Sequence, residues 1–172
     1  MKRKVVTLLI ILVCFLLEST VFQTLSFASV CPNLLIIVTS AFGFMRGQKE
    51  GMFIGFTAGL LADVFWGSTI GFNMLLYTAV GYFNGAFQRL FYDEDIQLPL
   101  CLIGASELFH GLVSCFCIYV LRGDFAFGTY LIRIIIPELV YTILVTLILY
   151  RIILHINRKL ESEEQRSASK FV

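Results

Sequence analysis

The chain has 172 residues, 58% of them hydrophobic and 15% charged, with a formal net charge of +1 and a mean hydropathy of +0.86. Soluble domains carry about a quarter charged residues, so an ordinary soluble domain is excluded. A net charge this close to zero also argues against a nucleic-acid partner, which needs a strongly basic surface.

The apolar excess comes in long runs, and long apolar runs mean lipid as solvent. The opening, MKRKVVTLLIILVCFLLEST, has the basic head and apolar core of a signal peptide. Glu18-Ser19-Thr20 is a poor cleavage site and Val13 is too bulky for a lipobox, so residues 5–22 read as an uncleaved first span. The second span is 33–45, after Pro32, and the third is 51–65. The fourth, fifth and sixth are 72–90, 98–121 and 129–154. The breaks RGQKE, WGSTIG, FYDEDIQ and RGDFAFG carry turn or charged residues that end a helix. The expected fold is an all-α integral membrane bundle of six transmembrane helices.

The second and third spans are short. At about 1.5 Å per residue, 33–45 covers about 20 Å of a hydrocarbon core about 30 Å thick. Residues 26–30 extend the second span in one version of this reading. In a competing version, 33–65 is a re-entrant hairpin within a four-span protein. Residues 1–160 make one polytopic membrane domain, and 161–172 form a polar tail expected to be disordered.

With a cytoplasmic N-terminus and six spans, all thirteen Lys and Arg except Arg122 and Arg133 fall on the cytoplasmic side. That is a strong positive-inside bias, and it places both termini in the cytoplasm. The five cysteines, Cys14, Cys31, Cys101, Cys115 and Cys117, sit in or beside apolar runs. Their odd number and spacing fit no disulfide framework or zinc motif, so they read as packing residues.

Ionisable residues inside spans are functional candidates by default. Here they are Glu18, Asp63, Glu107, His110, Arg133 and Glu138. Gly51, Gly55, Gly59 and Asp63 recur at intervals of four, which makes one helix stripe. Small residues on such a stripe let helix backbones approach closely, so Asp63 is expected to face another helix. Its bland role is a packing carboxylate, and its sharper role is a proton or cation site; the bland one is preferred. Gly71 and Gly81 are further candidates for helix packing or partner docking. Glu107 and His110 share a face and are expected to form a buried hydrogen-bonded pair, since two ligands are too few for a zinc site. Arg133 is expected to snorkel, or to pair with Asp63 or Glu18. Pro137 is expected to kink the sixth span, with Glu138, Thr142 and Thr146 forming a polar stripe beyond it. Catalytic motifs such as GxSxG or a phosphate loop are absent. The reading is of a protein that is not an enzyme and needs no cofactor or metal.

The order of these features resembles the MreD family of rod shape-determining proteins. The resemblance rests on Pro32-Asn33 opening the second span and on Arg46-Gly47 followed by Glu50-Gly51 at the cytoplasmic turn. It continues through Gly55, GLLAD ending in Asp63, Gly67-Ser68, Gly71, Tyr77, Gly81-Tyr82 and Gly85. Glu18-Ser19-Thr20 stands where the family usually has Gln-Ser-Thr, and Pro137 with Tyr141 is also family-like. The match is good over about residues 16–90 and holds only by layout beyond. It implies a scaffold of the bacterial cell-elongation complex in the inner membrane, with a role in cell shape and lateral peptidoglycan synthesis. The implied partners are an MreC-like protein and, through it, MreB and the RodA–penicillin-binding-protein synthase. The helix layout is also similar to the substrate-binding subunits of energy-coupling-factor transporters. A small-molecule-binding transporter subunit is therefore the alternative.

Overall fold

The computed structural model describes residues 2–22, 31–67, 70–90, 96–122 and 131–168. Every element among them is helical. Helix α1 (Lys2–Leu17) runs into a π-helical turn, Glu18–Phe22. Helices α2 (Leu34–Arg46), α3 (Gln48–Phe65) and α4 (Phe72–Ala86) follow, the last closing in a 3-10 turn, Phe87–Leu90. Helix α5 is Gln97–Arg122, and a second π-helical turn, Leu131–Ile135, leads into α6 (Ile136–Ala168). Residues 26–30, residue 68, the acidic residues 93–95 and the last four residues of the tail lie outside the described residues.

Local chemistry sets the boundaries. Pro32 precedes α2, and Asn33 caps it, its Oδ1 accepting the N–H of Ile36 at 3.1 Å. Gly47, at φ +93°, ends α2 and starts α3 in a single residue, a conformation that favours glycine. Gly71, at φ +104°, is the residue that starts α4.

Helix α2 is the centre of the molecule. Each residue from Leu34 to Met45 is buried, and α1, α3, α4, α5 and α6 all pack on it. A helix that is apolar all round belongs inside a bundle. This accounts for its shortness: it is a post surrounded by helices and presents no wall to lipid. The outer faces are apolar too, with Val5 63%, Leu75 67% and Ile148 69% exposed. In water such patches drive association, whereas in a bilayer they are the solvated surface. Two stretches, Gln97–Cys117 and Arg133–Ser162, are long and apolar enough to cross a membrane on length and composition.

Pro137 lies in the first turn of α6, where its missing N–H is tolerated. The π-helical turn Leu131–Ile135, which holds Arg133, runs directly into it, so the helix is irregular beside the proline, where the kink was expected. The tail expected to be unstructured from Glu161 is helical through Ala168, continuing the helix in which Arg151, His155 and Lys159 are exposed.

Candidate functional site

Asp63 is 1% exposed. Its Oδ2 accepts the N–H groups of Gly71 at 2.8 Å and Met74 at 3.0 Å, and its Oδ1 accepts that of Asn73 at 3.0 Å. These are first-turn donors of α4 that no helical carbonyl reaches. Gly71 offers no side chain to cap them, so the carboxylate of α3 does so across the turn, favoured by the helix dipole. Asp63 is thus held by three backbone N–H groups at the start of α4. Arg133, exposed in the second π-helical turn, is not part of this arrangement.

The glycine stripe brings α3 and α4 into backbone contact. A Cβ on Gly55 would stand 2.1 Å from the Tyr77 carbonyl oxygen, one on Gly51 2.3 Å from that of Gly81, and one on Gly59 2.4 Å from the Met74 Cα. Gly43 of α2 joins the same crossing, 2.9 Å by the same measure from the Gly81 oxygen. The stripe therefore faces a helix of its own chain. Gly71 contributes differently: nothing lies within 4 Å of its added Cβ, and its part is played by conformation and by its N–H.

Three polar groups tie the central helix to its neighbours. At its N-terminal end, Asn33 Oδ1 accepts the Tyr77 hydroxyl of α4 at 3.1 Å, and the Asn33 N–H donates to Thr142 Oγ1 of α6 at 3.2 Å. Midway, Asn84 of α4 donates through Nδ2 to Ser40 Oγ of α2 at 3.3 Å and to Ser106 Oγ of α5 at 2.7 Å. At the other end Arg46 donates to Asn157 Oδ1 of α6 at 2.7 Å, to Thr7 Oγ1 of α1 at 3.3 Å and to Glu50 Oε2 of α3 at 3.4 Å. Its guanidinium also lies 4.8 Å from the Phe42 ring centroid, and Glu50 is paired with Arg3 as well.

The remaining ionisable candidates gather near the N-terminal end of α2. Glu18 Oε2 accepts the Leu35 N–H at 3.3 Å, a carboxylate at a helix start. Glu107 of α5 and Glu138 of α6 bring their carboxyl groups within hydrogen-bonding reach of each other. Among the described residues, Glu107 Oε2 is buried and has no hydrogen-bond partner. The expected Glu107–His110 pair does not form. His110 Nε2 instead meets Asn73 Oδ1 at 3.2 Å, and its ring lies 5.3 Å from that of Tyr77. The two side chains are neighbours on one helix but face different elements, α6 and α4. Among the described residues no group of His, Cys, Asp or Glu is placed to hold a metal.

The sequence model of the family described as rod shape-determining protein MreD matches residues 1–160. The chain belongs to the MreD family. No curated protein and no solved structure matches it. MreD proteins act in rod shape determination and reside in the bacterial inner membrane.

The residues that carry the MreD resemblance hold the bundle together. Asn33 and Arg46 are the two end anchors of α2, Gly47 makes the α2–α3 turn, and Glu50 completes the Arg46 network. Tyr77, Gly81 and Asp63 join α4 to α2 and α3. Sequence reasoning that scanned for ionisable residues passed over Asn73, Asn84, Ser106 and Asn157. The available signal was an amide in the middle of an apolar run, since an amide carries donors and an acceptor that hydrocarbon cannot satisfy.

Proposed function

We propose that the chain is a membrane scaffold of the bacterial cell-elongation complex, supporting cell shape and lateral peptidoglycan synthesis by packing helices against an MreC-like partner. Through that partner it is linked to MreB and the RodA–penicillin-binding-protein synthase. The observation that carries this reading is membership of the MreD family across residues 1–160. The placement of polar groups supports it: they bind the chain's own helices to one another, which leaves apolar faces for outside contacts. The role involves helix packing and no bond-making chemistry, cofactor or metal. The bundle is read as six crossings with both ends of the chain in the cytoplasm, on the distribution of Lys and Arg, in a layout like that of energy-coupling-factor substrate-binding subunits.

Photocrosslinking residues at exposed positions test the proposal. Leu9 on α1, Leu75 and Phe83 on α4, and Leu144 and Ile148 on α6 are all more than half exposed. One face is expected to capture the MreC-like protein in living cells while the others capture lipid. Absence of that adduct from every face overturns the scaffold reading.

One observation favours the alternative of a small-molecule-binding transporter subunit, namely a buried Glu107 Oε2 with no hydrogen-bond partner among the described residues. That reading requires a metabolite bound to the purified protein, and native mass spectrometry in detergent decides it.

A further inference from the structure

Helices α1 and α3 do not pack evenly along their length. At one end they touch, with the Phe15 ring 4.9 Å from the rings of both Phe65 and Trp66. Towards the other end they enclose a cavity of about 330 Å³. Its mouth is bordered by Arg3, Lys4, Arg46 and Lys49, with Glu50 the single carboxylate among the described lining residues. Glu50 is shared between Arg3 and Arg46, so cations outnumber the acid. Lys4 and Lys49 are exposed at the rim.

Below this basic mouth the walls turn apolar. Leu8 and Ile11 line the α1 side, and Phe53 and Ile54 the α3 side. From Lys49 to Thr57 the lining descends about 12 Å along α3. Leu8 and Phe53 are each 52% exposed, so the cavity opens sideways into the lipid-facing surface. A cavity with a cationic mouth and an apolar, laterally open floor matches a molecule with an anionic head and hydrocarbon tails.

We propose that this cavity binds one anionic phospholipid of the cytoplasmic leaflet. The phosphate sits among Lys4, Lys49 and Arg3, and the acyl chains lie along Leu8 and Phe53. Basic pockets between helices at the cytoplasmic side of a membrane suit such head groups, and the anionic leaflet supplies them. A free phosphate would leave the apolar floor unused, so the lipid is the occupant. The inference goes beyond the scaffold role and borrows from it only the cytoplasmic placement of the chain's N-terminus.

The test is native mass spectrometry of the full chain in detergent, titrated with phosphatidylglycerol, with phosphatidylcholine and with inorganic phosphate. The expected result is one phosphatidylglycerol retained in preference to phosphatidylcholine. The Lys4→Gln/Lys49→Gln double variant is expected to retain it about thirtyfold less well, with an unchanged melting temperature, because both lysines are exposed. Leu8→Trp, which narrows the floor without touching the charges, is expected to weaken phosphatidylglycerol retention as well. Equal retention of the two lipids, or undiminished retention by the double variant, overturns the proposal. So does displacement of the lipid by inorganic phosphate, which makes the site one for the free anion. Loss of the lipid on assembly with an MreC-like protein also overturns it, since the cavity is then a seat for a partner segment.

Discussion

The Asp63 carboxylate of α3 accepts the N–H of Met74 on α4 at 3.0 Å, and two further α4 donors complete the clamp. A carboxylate here offers acceptors alone, matched to three donors. Asp63→Asn replaces one acceptor oxygen by an NH₂ that confronts backbone N–H groups, and Asp63→Ala removes the cap altogether. Each charge-assisted bond contributes about 1.5–3 kcal/mol. Asp63→Ala is therefore expected to destabilise by about 3 kcal/mol or more, and Asp63→Asn by less. Thermal unfolding in detergent measures both, and an unchanged melting temperature in Asp63→Ala contradicts the clamp.

The same helix pair sets up a contrast between glycines. A Cβ on Gly55 meets the Tyr77 carbonyl oxygen at 2.1 Å, a backbone atom that cannot swing away; at Gly104 the nearest atom is Ile143 Cδ1 at 3.6 Å, an ordinary contact. Gly55→Ala is expected to destabilise by about 1–3 kcal/mol through overpacking. Gly104→Ala is expected to be neutral or to stabilise by about 0.5–1 kcal/mol, since alanine is the better helix former. If both variants unfold at the same temperature, the close approach of α3 and α4 is not real. The larger Gly55→Leu disrupts this crossing, so a resulting loss of partner binding would report a broken bundle and not a lost docking face.

Much of the architecture was legible because hydrocarbon imposes few choices. Runs of apolar residues broken by Gly, Pro and charge placed the six described helices close to where they lie, and the four-residue glycine spacing placed Asp63 against a neighbour. The central position of α2 was not legible, because periodicity cannot separate a helix surrounded by lipid from one surrounded by protein. Only its length of about 20 Å hinted at the difference. Partner choice was the weakest point. Spacing put Glu107 beside His110 on α5, but rotation of the helix turns one toward Glu138 and the other toward Asn73, and rotation depends on the packing of all the other helices. The Asn84 hub joins residues 44 and 22 apart in sequence, beyond any local pattern.

Arg46 joins α2 to three other helices. Its side chain is 7% exposed, and its Nε and Nη1 donate in fixed directions to Asn157, Thr7 and Glu50. Lysine keeps the charge but not the planar fork. Arg46→Lys is therefore expected to cost about 2 kcal/mol of stability, of the order of one or two charged hydrogen bonds. Combination with Asn157→Ala is expected to be less than additive, because each change already breaks the same bond. Full additivity in a double-mutant cycle contradicts the Arg46–Asn157 bond.

Glu107 is where the packing and functional readings diverge. It is 2% exposed, faces the Glu138 carboxyl, and has an Oε2 with no hydrogen-bond partner among the described residues. Two carboxyl groups offer each other acceptors in excess of donors. Glutamine has the same size and brings an N–H₂ to the same place, so Glu107→Gln is expected to hold or raise the melting temperature. Glu107→Ala leaves Glu138 facing a void and is expected to cost about 2 kcal/mol, in the range for a buried polar group deprived of its partner. The scaffold role asks only that α5 and α6 stay joined, so Glu107→Gln is expected to support rod shape in cells whose own copy is removed. A Glu107→Gln protein that folds as well as the parent but fails to support rod shape shows that the ionisable group itself is needed. That outcome would shift the reading from helix packing to a site that binds a proton, a cation or a cationic ligand.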